Sequence, residues 1–343
     1  LYNEAVRVTE QHAASSEVMC EILPRVLGEY AQALSAAAGL SRRSESRALL
    51  ELATAVGSEA LRLTEASKAA DAAQKLEACV LLGRLLASRA QAAWELSGAA
   101  DGAGELEAIA AEVTNLFNQA IGEGYSAALR LRPSDPRPQA GAADAWLGIA
   151  RARHALAERA SEAGRAVEEA VAEGRQGRQG AAWQQGMVDA LERALGLYER
   201  LVGERTGEAR WESAAEQARN KGLLPPAWRQ STQINYARAL ALARREKECA
   251  RVLAVCVQAR GLSTKQLDED VDLAQFAKRD WMGVLRLRLR EAEKEDEVEE
   301  VLAARPQDRD EKRHEEDDGG QGGVQQWALG QNSSTDKLTR QTS

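Results

Sequence analysis

The stretch Tyr125-Ser-Ala-Ala-Leu-Arg-Leu-Arg-Pro-Ser-Asp-Pro136 narrows the fold of this chain more than any other. Tyr125, Ala128, Leu129 and Leu131 recur at helical spacing, so they share one apolar face. Pro133, Asp135 and Pro136 then stop that helix, because proline donates no backbone hydrogen bond and disfavours helix in the residue before it. A second apolar helix follows within a few residues and carries Ala145-Trp-Leu-Gly148. Helix, short Pro/Asp turn, helix is the unit from which α-solenoids are stacked.

The rest of the chain agrees with a helical architecture. Roughly one residue in five is Ala, aromatics make up only 4%, and β-branched residues are scarce, so strand signals are nearly absent. The apolar stripe Met19, Leu23, Leu27, Tyr30, Leu34 marks a first helix. Pro24 inside it either opens a new helix at its first position or kinks one long helix. Gly39 and Ser41–Ser46 make a turn, and Leu49, Leu52, Val56, Ala60 and Leu63 mark a second helix. Asp71 with Gln74 forms a capping pair opening a third, which runs through Leu76, Cys79, Leu82, Leu86 and Ala93 to Leu96. Residues 98–104 read as a Gly-rich joint. Beyond Gly148 the pattern continues to about Ala172, and the repeated tripeptide Arg175-Gln-Gly-Arg-Gln-Gly180 reads as an exposed loop. Leu191, Ala194, Leu195 and Leu197 mark a further helix. The segment from Trp211 through Leu224-Pro-Pro-Ala-Trp228 reads as a short helix with a rigid exit. After about Arg290 the chain is dominated by charge and Gly. It should be disordered beyond about 305, since it buries too little apolar surface to offset its ordering entropy.

Several of these segments resemble tetratricopeptide repeats. Tyr125-x-x-Ala128-Leu129-x-Leu131-x-Pro133-x-Asp135-Pro136 is similar to the second helix and exit turn of such a repeat, and Leu147-Gly148 to the Leu-Gly pair of the next first helix. Cys79-x-x-Leu82-Gly83-x-x-Leu86 is similar to a first helix, with Cys in the usual Trp place. Tyr236-Ala237-x-x-Leu240 resembles another, followed by Cys249, Leu253 and Cys256 at second-helix positions. Asp270-Val-Asp272-Leu273, Phe276, Asp280-Trp281 and Leu285 resemble the segment that closes these arrays.

The resemblance implies an all-α, right-handed α-solenoid of tetratricopeptide and tetratricopeptide-like hairpins with a disordered acidic C-terminal tail. Its expected parts are helical hairpins over 1–98, an array with a capping helix over 105–290, and the tail over 291–343. It also implies a non-catalytic scaffold or assembly factor that holds a partner peptide, helix or subunit in a concave groove of first helices. Alternatives are a structural subunit of a large assembly or a regulatory domain of an enzyme. The family's inward positions map onto Ile149, Ala152 and Arg153, then Asn235, Arg238, Ala241 and Leu242. Arg153, Asn235 and Arg238 are the residues expected to hold the partner, since a guanidinium forks onto a carboxylate or peptide carbonyl. The competing expectation is that both arginines pair with neighbouring glutamates.

Other chemistry is poorly supplied. A net charge of -8 and a pI near 5.3 disfavour a nucleic-acid partner, which calls for a basic face. The histidines His12, His154 and His314 are far apart, and no His-x-x-x-His or Cys-x-x-Cys spacing offers a metal site. Cys249 and Cys256 share a helix face, but two turns put their Cα atoms about 10 Å apart, too far for a disulfide. Gly122-x-Gly124-x-x-Ala127 superficially matches a dinucleotide-binding turn, yet what precedes it is helical in pattern rather than a strand. Asp268-Glu-Asp270 reads as an exposed turn. No cofactor and no membrane span are expected, and scattered cysteines suit a reducing intracellular compartment. The chain starts at Leu1, so a fragment or a processed form is expected.

Overall fold

The computed structural model describes residues 17–68, 70–95, 97, 102–168, 175–202, 226–259 and 261–303, and among them every regular element is helical. In order these are α1 (Glu17–Leu40), α2 (Arg43–Ala66), α3 (Ala72–Glu95) and α4 (Ala103–Gln119). A π-helical turn, Ala120–Tyr125, joins α4 to α5 (Ser126–Leu131). Then come α6 (Pro136–Glu168), α7 (Arg175–Val202), α8 (Pro226–Leu242) and α9 (Glu246–Gln258). Short α10 (Thr264–Asp268), a 3₁₀ turn (Ala274–Phe276) and α11 (Asp280–Ala303) complete the set. Residues 1–293 form one compact unit and 294–343 another. The expected helix from Trp211 and the expected disorder beyond 305 lie outside the described residues.

Local signals account for most boundaries. Pro24 sits inside α1, which continues through it as one helix. The α3 start is a reciprocal cap: the Gln74 N–H donates to Asp71 Oδ1 at 2.7 Å and the Asp71 N–H to Gln74 Oε1 at 3.1 Å. Asp135, buried in the Pro/Asp turn, accepts from the Arg137 N–H at 2.9 Å and opens α6 beside Pro136. Its carboxylate also holds the Arg137 guanidinium, which reaches Glu77 on α3 at 2.7 Å. Between α8 and α9 the chain turns on Arg244, whose φ of 56° is left-handed, with the Arg245 N–H donating back to Leu240 O.

Three expectations change. Arg175–Gly180 is not a loop but the first turns of α7. Two helical glycines each cost about 1 kcal/mol against Ala, and the long contact of α7 along α6 offsets this. Pro226-Ala-Trp228, expected as part of a rigid exit, instead opens α8, whose first residue Pro226 loses nothing by lacking an N–H. On α2 the stripe is displaced: Leu50, Ala53, Ala60 and Leu61 are buried, whereas Leu52 is 46% exposed. The reason is that α2 packs on both α1 and α3, so the covered surface is broader than one stripe. Thr54 and Thr64 can lie on that surface because their hydroxyls donate to Leu50 O and Ala60 O one turn back.

Packing proceeds between successive helices: α1 on α2, α2 on α3, α3 on α4, α4 on α6, α6 on α7, α7 on α8, and α8 on α9. One continuous core runs from Leu61 and Leu76 to Leu285 and Leu289, without a break across residues 98–104. At its middle, α3 and the π turn approach backbone to backbone. A Cβ on Gly124 would stand 2.4 Å from Gly83 Cα, and the Tyr125 ring fits against both Gly83 and Gly141. Within the Gly122-x-Gly124 pattern it is therefore Gly124 that permits a helix crossing, and a helix rather than a strand precedes it. Of the expected apolar face, Tyr125 and Ala128 are buried and Leu131 is 41% exposed, at the mouth of the turn. Gly148 is likewise a contact point, where a Cβ would meet the Phe117 ring at 2.3 Å.

These distances predict unequal effects of one substitution at two nearby glycines. Gly124→Ala forces backbone against backbone and should cost about 1–3 kcal/mol or more, lowering Tm. Gly122→Ala meets open space and should leave Tm unchanged or slightly raised. Equal melting temperatures for the two variants would refute the crossing.

Candidate functional site

A groove of about 520 Å³ opens on the first helix of each successive pair. Ser35, Ala38 and Gly39 come from α1, and Ala87, Ser88, Gln91, Ala92 and Glu95 from α3. Asp144, Leu147, Gly148 and Arg151 come from α6, and Asn235 and Arg238 from α8. Only Ser46, Leu50 and Phe117 reach it from second helices. On α6 the lining residues recur at offsets of three, one and three, a single helical face.

The structure brings two of the three expected residues together here and sends the third elsewhere. Asn235 and Arg238 line the groove, one turn apart on α8. Arg153 instead turns to α7, where Nη1 donates to Gly186 O at 2.6 Å over a glycine that leaves it room. Ile149, Ala152 and Ala241 are fully buried and Leu242 half-buried, so none is an inward groove position. The groove residue on α6 is Arg151, two positions earlier. Helix α6 packs against α3, α4, α7 and α8, and this double-sided burial rotates its free face away from the position that sequence spacing suggested.

Both groove arginines are held, but not by neighbouring glutamates. Arg238 Nε donates to Asp270 Oδ2 at 2.6 Å, and its Nη1 to Asn235 Oδ1 at 2.8 Å. Arg151 donates to Asp272 through Nε, at 2.8 Å, and through Nη2. The turn Asp270-Val271-Asp272 thus presents both carboxylates to the groove floor, leaving Val271 at its tip 86% exposed. Asp270 is buried rather than an exposed turn residue, and its Oδ1 also accepts the N–H groups of Asp272 and Leu273.

Asp144 is the centre of the floor. It accepts from the Tyr198 hydroxyl of α7 at 2.5 Å and from Asn235 Nδ2 of α8 at 3.0 Å, both at Oδ1. Burial pushes its carboxyl up to about 6, against the opposing pull of those hydrogen bonds and of Arg151 and Arg238. The same burial raises the Tyr198 phenol well above its ordinary value. Sequence reasoning passed over Asp144 and Arg151; their one available signal was the two-turn spacing that puts both on one face of the Leu147-Gly148 helix.

Elsewhere the described residues offer little reactive chemistry. Cys249 and Cys256 are buried on α9, and burial pushes each thiol up to about 12, far from a usable thiolate. Among the described residues no group of three or more His, Cys, Asp or Glu is placed to hold a metal. No described helix is long and apolar enough to cross a membrane. Trp146 is half-buried under the Arg193 guanidinium, 4.5 Å from its ring centroid. Comparison with protein-family models, with curated proteins and with solved structures finds no match.

The position of Asp144 has a consequence for stability. Its carboxyl titrates near 3.8 when solvated and near 6 in the fold. Between those values the folded chain holds the proton more tightly, so stability falls as pH rises through that window. Asp144→Asn keeps an acceptor for Tyr198 without the charge. Its Tm relative to the wild type should rise between pH about 4 and about 7, by a margin equivalent to roughly 1–3 kcal/mol. A difference that does not change with pH would show that Asp144 is not desolvated.

Proposed function

We propose that this protein is a non-catalytic interaction scaffold or assembly factor, built as a right-handed solenoid of tetratricopeptide-like hairpins, that holds a partner peptide, helix or subunit in a concave groove. The observation that carries this reading is the composition of the groove wall: α1, α3, α6 and α8, the first helix of each successive pair, all contribute to it. Helices that pack chiefly on their sequence neighbours support the solenoid. A groove of this size, with half-buried Ala87 and Ala92 in its wall and a polar floor, suits side-chain recognition. Asn235 and Arg238 remain the proposed contact residues on α8, with Arg151 in place of Arg153 on α6.

One observation favours a second reading, a structural subunit of a larger assembly. Val284 and Leu287 lie one turn apart on α11, and both are more than half exposed, as an interface residue would be before assembly.

Site-specific photo-crosslinking separates the two. A crosslinking residue at Gln91, in the groove, should capture a discrete partner in the native cell extract, while one at exposed Glu192 on α7 should not. Capture from the Val284 and Leu287 face alone would favour the subunit. Equal capture from Gln91 and Glu192 would leave the groove without a role.

A further inference from the structure

The arginines give the groove an appearance of an acid-binding site, but their charge is already taken. Asp270 and Asp272 come from a turn built around the Asp270 carboxylate, and their side chains are only 4% and 15% exposed. An acidic ligand would have to compete with them, and displacing them would strip buried Asp270 and half-buried Asp272 of their ion pairs, at a cost that a new ion pair does not recover.

What remains is negative. Asp144 and Glu95 line the groove, and neither makes an ion pair among the described residues. Both donors to Asp144 use Oδ1, and among the described residues none donates to Oδ2. Two guanidinium groups thus face four carboxylates, which leaves an excess of two negative charges beside the half-buried apolar residues Ala87 and Ala92.

Resting on the groove reading above, we infer that the partner segment is basic and amphipathic: it sets Lys or Arg side chains toward the Asp144 and Glu95 carboxylates and apolar side chains against half-buried Ala87 and Ala92 of α3. The Asp270-Val271-Asp272 turn then acts as a built-in filter. By neutralising Arg151 and Arg238 it removes the feature that would attract carboxylates, and it excludes acidic segments by repulsion. Protonation of Asp144 would weaken such binding. The groups facing that carboxylate are Arg151 on its own helix, Tyr198 from α7, Asn235 and Arg238 from α8, and Tyr125 from the π turn. Burial raises both phenols, away from this range, and Asp144, pushed up to about 6, titrates within it.

The test uses the full chain and two labelled synthetic peptides on the same Ala/Leu background, one with Lys and one with Glu at the charged positions. Fluorescence anisotropy at neutral pH should show the Lys peptide bound at least about tenfold more tightly. That preference should shrink as pH falls through about 6. Glu95→Gln, an exposed change that leaves the fold intact, and Asp144→Asn should each weaken the Lys peptide by about fivefold to tenfold. Tighter binding of the Glu peptide overturns the inference. So does failure of the Lys peptide to bind, or Lys binding indifferent to both substitutions, which would move its site to other carboxylates of the chain. Photo-capture from Gln91 together with a Glu preference would sink the basic ligand and spare the groove; no capture from Gln91 would sink the groove itself.

Discussion

Between Gly83 on α3 and Gly141 on α6 there is room for one flat ring, and Tyr125 fills it. Its neighbour Gly124 lets the π turn touch the α3 backbone, so two successive residues lock three helical segments at once. Because α3 belongs to the first hairpins and α6 to the later ones, this contact makes one core of residues on both sides of 98–104. It also sets how close α3 and α6 stand, and those two helices supply most of the groove lining. A larger residue at either glycine would spread the helices, and interiors packed like crystals have no slack to absorb it.

The groove floor shows how a chain can hold charge at partial burial through a network of hydrogen bonds. Tyr198, Asp144, Asn235, Arg238 and Asp270 form a continuous chain of hydrogen bonds from α7 through α6 and α8 to the closing turn. Each link joins different elements or satisfies a group the next link needs, which is the condition under which a buried polar network rigidifies a fold. Breaking it at one partner leaves the other exposed to the desolvation cost that already lifts Asp144. The network is therefore both the cement of the later helices and the source of the field in the groove.

Much of the architecture was legible in residue order, because helices and their stops are local. The 3.6-residue periodicity, the Asp71/Gln74 cap and the Pro133–Pro136 turn each act within a few residues, and each appears where it was expected. The repeated Arg-Gln-Gly of Arg175–Gly180 failed as a loop signal for the opposite reason: its weak local preference against helix yields where tertiary packing sustains α7. The candidate groove was partly legible. Asn235 and Arg238 line it one turn apart, as their spacing on one helix allows, whereas Arg153 was preferred to Arg151 because spacing alone cannot say how a helix packed on several sides is rotated.

Sequence by itself determined that the chain is helical, where most helices stop, and that small residues mark their crossings, since backbone geometry, capping and side-chain volume are properties of a few consecutive residues. Only the tertiary structure decided which face of α6 meets the groove and that Asp144 accepts hydrogen bonds from Tyr198 and Asn235. It alone decided that a turn more than a hundred residues away along the chain neutralises Arg151. These are relations between segments distant in sequence. They exist because packing rotates each helix to bury its largest apolar area, and charge settles against whatever that rotation brings near.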